Sequence, residues 1–421
     1  MLRNISWYGL DKLLKMLSLL ATSIVVSRVV GIDDYGVYSY FIALNTLIIP
    51  LVLLGLDDYC YQKFASRKRK KNKVIIGNVN AIRLMANGGV IVLLILLTPF
   101  INHNSFVILF VLGLGNFSSV FTIYQYWNSA NCENKVNAIS SIISTFLFVI
   151  VKVFILLSGL EYTVFQMILL YTVEVCISAI VNFSLSKIQF NFMFNWRIIR
   201  ILLYKAMPMT VSGVAIVAYY KMDQIMLGTM SSYRDVSVYA VQAQLLMAVN
   251  LLLQILINGS FPQWFNKRKL DYCIIGALSR VLFLVSSILW ILTFFISQPV
   301  IEFLWGEDFS DVTFLLLITI IGTLFSGFGA IGAKILTFEN LQNYRMKRVL
   351  IAMIINFIMN LMLIPVYGYY GAAIATVFSQ LYSGLIGNFF SRKTRWLVLR
   401  QFSFFSYSSW SIRDINKIFK I

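Results

Sequence analysis

The sequence predicts an all-α membrane protein of about twelve transmembrane helices, six plus six, with both termini cytoplasmic. Three observations carry this. The 421 residues are 59% hydrophobic and 12% charged, too little polar material to cover a soluble surface. Apolar runs of about 20 residues, the length that crosses a ~30 Å hydrocarbon core, recur from end to end. Basic and acidic loops alternate between those runs. The mean hydropathy of +0.80 agrees. A net charge of +18 would suggest nucleic acid in a soluble chain, but here it sits in loops, and no nucleic-acid partner is expected.

The spans run at about 11–31, 36–56, 77–100, 105–127, 137–158 and 162–185, then 207–229, 236–258, 273–297, 311–335, 348–366 and 370–390. The first apolar run, Leu13 to Val30, is too long for a cleavable signal and lacks a small-x-small site, so it is read as a retained span. One set of loops holds Lys63, Arg67–Lys71, Lys73, Lys187, Arg197, Arg200, Lys205, Lys267–Lys269, Arg345, Lys347 and Arg348, then Arg392, Lys393, Arg395 and Arg400 in the tail. The opposite set holds Asp33, Asp34, Glu161, Asp235, Glu302, Glu307, Asp308 and Asp311, with Arg234 its single cation. Basic loops stay inside, which puts both termini in the cytoplasm. The Arg67–Lys73 cluster is read as a topology-setting charge run in preference to an anionic-lipid patch. Cys60, Cys132, Cys176 and Cys273 show no metal spacing, and none falls in an outer loop, so no structural disulfide is expected.

Outer loops are short; the longest, from Gln298 to Asp311, has room for one helical turn. A longer break from Ser186 to Ala206 alternates aromatic and basic residues, and an inner-face amphipathic helix and a plain linker both fit it. It divides the chain into a first lobe at 1–190, a second at 191–390 that begins with this linker, and a basic tail at 391–421. The halves show a hint of repetition. Asp34-Tyr-Gly-Val-Tyr38 follows the first span and Asp235-Val-Ser-Val-Tyr239 follows the seventh.

Gly327, Gly329 and Gly332 spell GxGxxG, but inside an apolar span among Gly322, Ser326, Ala330 and Ala333. A dinucleotide site needs a strand before and a soluble helix after, so the glycines are read as helix packing. No GxxxxGK[ST] is present. His103 is the only histidine, and it is expected to be solvated. No metal site, catalytic dyad or cofactor is expected, and the short outer loops disfavour a glycan polymerase or ligase.

What remains are charges within spans: Arg28, Arg83, Lys152, Glu174, Lys221, Asp223 and Lys334. Each costs at least ~2.5–3.5 kcal/mol at a helix centre unless it faces protein or water, which makes each a site candidate. Arg83 and Lys334 lie within about two turns of inner helix ends and have snorkelling open to them, while Arg28 lies near Asp33 and Asp34. Lys152 and Lys221 lie ~20 Å from the inner surface, and Glu174 near mid-span. Asp223, flanked by Tyr219 and Tyr220, suits either a bound cation or proton or simple acceptance of the tyrosine hydroxyls. Five cations against two anions favour an anionic headgroup such as a diphosphate.

The segment Ser27-Arg-Val-Val-Gly-Ile-Asp-Asp-Tyr-Gly-Val-Tyr38 resembles the first-span signature of Wzx-type polysaccharide flippases, of the multidrug/oligosaccharidyl-lipid/polysaccharide exporter superfamily. Ala206-Met-Pro-Met-Thr with Lys221-Met-Asp-Gln-Ile-Met-Leu-Gly228 is similar to its seventh-span signature. Asn360 to Ala375 resembles its eleventh-to-twelfth-span turn. The resemblance implies two six-helix lobes around a central cavity with alternating access, moving an undecaprenyl-diphosphate-linked glycan across the bacterial inner membrane. It implies a cationic lumen, here Arg83, Lys152, Lys221 and Lys334, and coupling to protons or sodium ions through Asp223 or Glu174. Polysaccharide polymerase and chain-length machinery are the partners it implies. A cation-coupled multidrug exporter of the same superfamily is the alternative, and it would be expected to hold more embedded carboxylates than cations.

Overall fold

The computed structural model describes residues 2–66, 69–186, 188–260, 265–266, 269–270, 272–339, 341–390 and 394–401. The side chains of Arg67–Lys71, Lys187, Lys267–Lys269, Cys273, Arg392, Lys393 and Arg400, and the tail beyond Gln401, lie outside the described residues.

Every long apolar run folds as a helix. In chain order these are α1 (Leu2–Val30), α2 (Ile32–Leu53), α3 (Leu56–Ser66), α4 (Arg69–Leu96), α5 (His103–Gly115), α6 (Ser119–Ala130), α7 (Asn134–Ser158) and α8 (Val164–Leu185). They continue as α9 (Trp196–Met230), α10 (Tyr233–Ser260), α11 (Tyr272–Trp305), α12 (Val312–Phe338), α13 (Gln342–Leu381), α14 (Gly387–Phe389) and α15 (Arg395–Gln401). Between α10 and α11, β1 (Phe265–Asn266) and β2 (Lys269–Leu270) pair antiparallel. Among the described residues eleven stretches are long and apolar enough to cross a membrane. The last, Asn343–Phe389, has 47 residues, about 70 Å of helix, and breaks at Gly368, so it holds two crossings. The predicted set of about twelve is therefore present.

The chain divides into two compact units, Met1–Ile225 and Met226–Ile421, parting within α9. Unit 1 packs Leu56, Phe64, Ile76, Val79, Ile123, Trp127 and Leu202 into a core at the end that carries the basic loops. Unit 2 does the same with Leu253, Ile257, Leu278, Leu282, Phe328, Ile331 and Leu397. Large apolar side chains such as Phe154, Phe295 and Phe303 stand exposed on the helix surfaces, as lipid-facing residues do.

Two turns depend on glycine. Gly55 (φ 59) follows Leu54 in the left-handed region and ends α2, and a Cβ there would lie 2.6 Å from the Thr210 amide nitrogen of α9. Gly368 (φ 53) makes the break within α13, where a Cβ would lie 2.5 Å from an Asp235 carboxylate oxygen. Gly327, Gly329 and Gly332 lie within unbroken α12. Gly329 faces Gly384 of the π-turn Tyr382–Ile386, so small residues admit close backbone approach there.

Of the two forms expected for the break after α8, residues 188–195 take that of a linker, docked on α4. Residues 188–195 are irregular and lie along α4: Met193 N–H donates to Gly77 O (3.2 Å), Asn80 Nδ2 to Asn191 O (2.8 Å) and Asn191 Nδ2 to Lys73 O (3.2 Å). Asn195 then caps α9, accepting from the Arg197 and Ile198 amides at 3.1 and 3.3 Å. From Trp196 the helix runs without interruption into the seventh span. The outer segment between α11 and α12 does hold one helical turn, Glu307–Phe309.

The repeated aspartate–tyrosine segments occupy matching places. Asp34 lies in the first turn of α2 and Asp235 in that of α10, where each complements the helix dipole. Tyr38 packs edge-on against Tyr171 of α8, the sixth span of unit 1. The Tyr239 hydroxyl lies 3.1 Å from Thr376 Oγ1 in the twelfth span.

Candidate functional site

Unit 1 holds its embedded charges in closed pairs. Arg83 of α4 is fully buried, and its guanidinium bonds the Asp57 carboxylate of α3, the Ser119 carbonyl (2.7 Å) and Thr122 Oγ1 (3.0 Å). Asn87, one turn on, donates to Ser119 Oγ at 3.2 Å. This constellation ties α3, α4 and the start of α6 together. A buried arginine with its carboxylate removed costs about 3–5 kcal/mol, so the pair holds the helices in register.

The second pair lies deeper. Lys152 of α7 is 1% exposed, and its ammonium sits 2.7 Å from Glu174 of α8 and 2.7 Å from Thr22 Oγ1 of α1. Ser18 Oγ donates to the other Glu174 oxygen at 2.7 Å. Three spans thus converge on one charge pair near mid-membrane depth. Tyr171, one turn before Glu174, stacks edge-on with Tyr38, and Tyr35 with Ser23 continues the polar lining. A cavity of about 130 Å³ touches both regions, lined by Ser119 and Thr122 from the Arg83 site, by Tyr171, and by the paired amides Asn45 and Asn116.

The other sequence candidates lie apart from these pairs. Lys221 donates to Gln224 Oε1 (3.0 Å) one turn along α9, and Asp223 is buried beside it. Lys334 lines a cavity of about 520 Å³ in unit 2. Arg28 is exposed in the last turn of α1. Counting charges within spans missed four buried groups: Asp11, Asp57, Arg280 and Arg348. Asp57 escapes because α2 ends before it, and it reaches Arg83 from α3, after the left-handed turn at Leu54 and Gly55. Asp11 marks the edge of the first span, where it pairs with Lys15 (3.0 Å) and accepts from Ser141. Arg348 contacts neutral acceptors, Asn388 Oδ1 and the Gly329 carbonyl. Arg280 is the plain omission: it lies well inside the predicted ninth span.

Solved structures identify the class. The fold is similar to a lipid II flippase, MurJ, in an inward closed conformation, with a TM-score of 0.69 and 14% identity over 99% of this chain and 90% of that one. It is similar to an inward-facing multidrug resistance MATE family transporter of the MOP superfamily, with a TM-score of 0.67 and 13% identity over 96% and 99%. A MOP superfamily transporter from Pyrococcus furiosus, described by the reverse polarity of its binding pocket, gives 0.55 and 12% over 94% of each chain. What these likenesses establish is the fold: the chain has the helical architecture of MOP-superfamily transporters. No curated protein matches the sequence. The family described as polysaccharide biosynthesis protein matches residues 1–266, and the chain belongs to that family.

Proposed function

We propose that the protein translocates undecaprenyl-diphosphate-linked oligosaccharide repeat units, of O-antigen or a similar surface polysaccharide, from the inner to the outer leaflet of a bacterial inner membrane. It acts by alternating access as a transporter and not as an enzyme, and it supplies a polysaccharide polymerase and its chain-length machinery. Membership of a polysaccharide biosynthesis family and a fold shared with a lipid flippase support this reading.

The observation that carries it is the Lys152–Glu174 pair. In the pair each charge cancels the other, and both are held by hydroxyls from α1. Protonation of Glu174 removes the carboxylate charge and leaves Lys152 as an uncompensated cation in a low-dielectric setting. A diphosphate is then its natural counter-ion. Binding of cargo and uptake of a proton, or of sodium in its place, are thereby linked through one side-chain exchange. Arg83, Lys221 and Lys334 supply further positive charge, with Asp223 a second carboxylate available for coupling.

The test is complementation of a deletion strain, with a surface-glycan stain and mass spectrometry of the lipid-linked intermediate. Lys152→Gln and Glu174→Gln are expected to abolish surface glycan and accumulate the intermediate while the protein remains folded in the membrane. The swapped pair, Lys152→Glu with Glu174→Lys, is expected to restore stability without restoring transport. Wild-type glycan from Lys152→Gln sinks the assignment.

A further inference from the structure

A cavity of unit 2 takes no part in the pairs of unit 1. It measures about 520 Å³, within the range of small-molecule sites, and opens among the last turns of α10 and α12 and the first turn of α13. All three helix ends lie on the side of the basic loops. Its polar wall is Gln254, Asn258, Lys334, Thr337 and Arg345; Ile257, Ala330, Ala333 and Phe338 supply the apolar remainder.

Two full cations share this wall, and among the described residues no carboxylate belongs to it. Glu339, the nearest acid along the chain, is exposed and stands outside the lining. Helix dipoles explain only part of such a charge. The C-terminal ends of α10 and α12 each present about −0.5 of a charge and the N-terminus of α13 about +0.5, which leaves the cavity positive overall. Arg345 also donates to Thr337 Oγ1 (3.3 Å), which holds the guanidinium across the cavity mouth. Arg348, one turn further along α13, is buried against neutral acceptors and adds to the positive field.

We infer that this cavity is a binding site for a phosphate or diphosphate group, in which Lys334 and Arg345 neutralise the anion and Gln254 and Asn258 donate to its oxygens. The apolar wall formed by Ile257, Ala330 and Phe338 suits the first carbons of a lipid attached to that group. The inference rests on the translocation reading and extends it with an anion site built wholly from residues of unit 2. Its test measures binding and not transport, so the two stand or fall separately.

The full-length protein in zwitterionic nanodiscs is titrated with inorganic pyrophosphate by calorimetry, then again in nanodiscs containing phosphatidylglycerol. Saturable binding is expected, with a Kd raised about tenfold or more in Lys334→Gln/Arg345→Gln, as loss of two charge-assisted contacts requires. Lys347→Gln, an exposed cation of the same helix outside the lining, is expected to leave Kd unchanged. Competition by phosphatidylglycerol supports the site and makes its source a lipid headgroup; absence of competition supports it with a soluble phosphate as ligand. No saturable binding to wild type, or equal affinity in the double variant and wild type, overturns the proposal. Circular dichroism of each variant verifies folding, and Arg345→Lys, which keeps the charge, is expected to retain most of the affinity if the double variant proves unstable.

Discussion

The fifth and sixth spans and their counterparts in chain order, the eleventh and twelfth, carry different chemistry. In unit 1 they hold Lys152 against Glu174, with Tyr38 of the second span nearby. In unit 2 they hold Asn356 against Thr376 (3.4 Å), with Asn360 bonded to Asn356 (3.2 Å) and Tyr239 in the position of Tyr38. Nearby, Gln242 donates to Thr319 Oγ1 at 2.7 Å. Where unit 1 has an ionic cluster, unit 2 has a neutral amide–hydroxyl network. The Lys152–Glu174 contact depends on both groups being charged, whereas the amide–hydroxyl contacts carry no charge.

The contrast is open to experiment. The largest effect is expected from Asp57→Ala, which strands Arg83 in the interior of unit 1; thermal unfolding in detergent should show a loss of about 3–5 kcal/mol. A loss under about 1 kcal/mol would mean that water already reaches Arg83. Next is a double-mutant cycle on Lys152→Gln and Glu174→Gln, for which a coupling of about 1–3 kcal/mol is expected from unfolding of the singles and the double. In unit 2, Arg348→Met removes a buried cation held by neutral groups, and relief of its desolvation offsets the lost hydrogen bonds. A change within about 1–1.5 kcal/mol is expected, and a loss as large as that of Asp57→Ala would erase the distinction between the units. The smallest effect is on reactivity. Burial pushes the Cys60 thiol up to about 12, whereas Cys132 is exposed in the turn before α7. With Cys176 and Cys273 replaced, maleimide at pH 7.5 should label Cys132 alone. An impermeant reagent that labels Cys132 only in permeabilised cells would bear out the inside orientation expected from loop charge; labelling of intact cells would overturn it.

Much of the fold was legible from length and charge alone, because a bilayer imposes a repeat that any apolar run of about 20 residues displays. The linker was not. Its attachment to α4 depends on amides, Asn78, Asn80 and Asn191, whose partners lie more than a hundred positions away in sequence. The site was half legible. Lys152 and Glu174 each stood out as a charge where a charge is costly, but their pairing depends on how α7 and α8 are rotated, which hydropathy does not encode. Asp57 stayed hidden because it lies beyond its span and returns to the interior only through the left-handed turn at Leu54 and Gly55.

The tether between residues 188 and 195 also bears on how the polypeptide can be taken apart. Cutting the gene at the apparent lobe boundary near 190 would sever a strap that belongs to the first unit and leave α4 without its amide partners. A cut in the two-residue turn Ser231–Ser232 spares all of these bonds and keeps α9 whole. Fragments 1–231 and 232–421, expressed together, are therefore the pair suited to reassembly, and the same turn is the place to insert an epitope or a reporter domain.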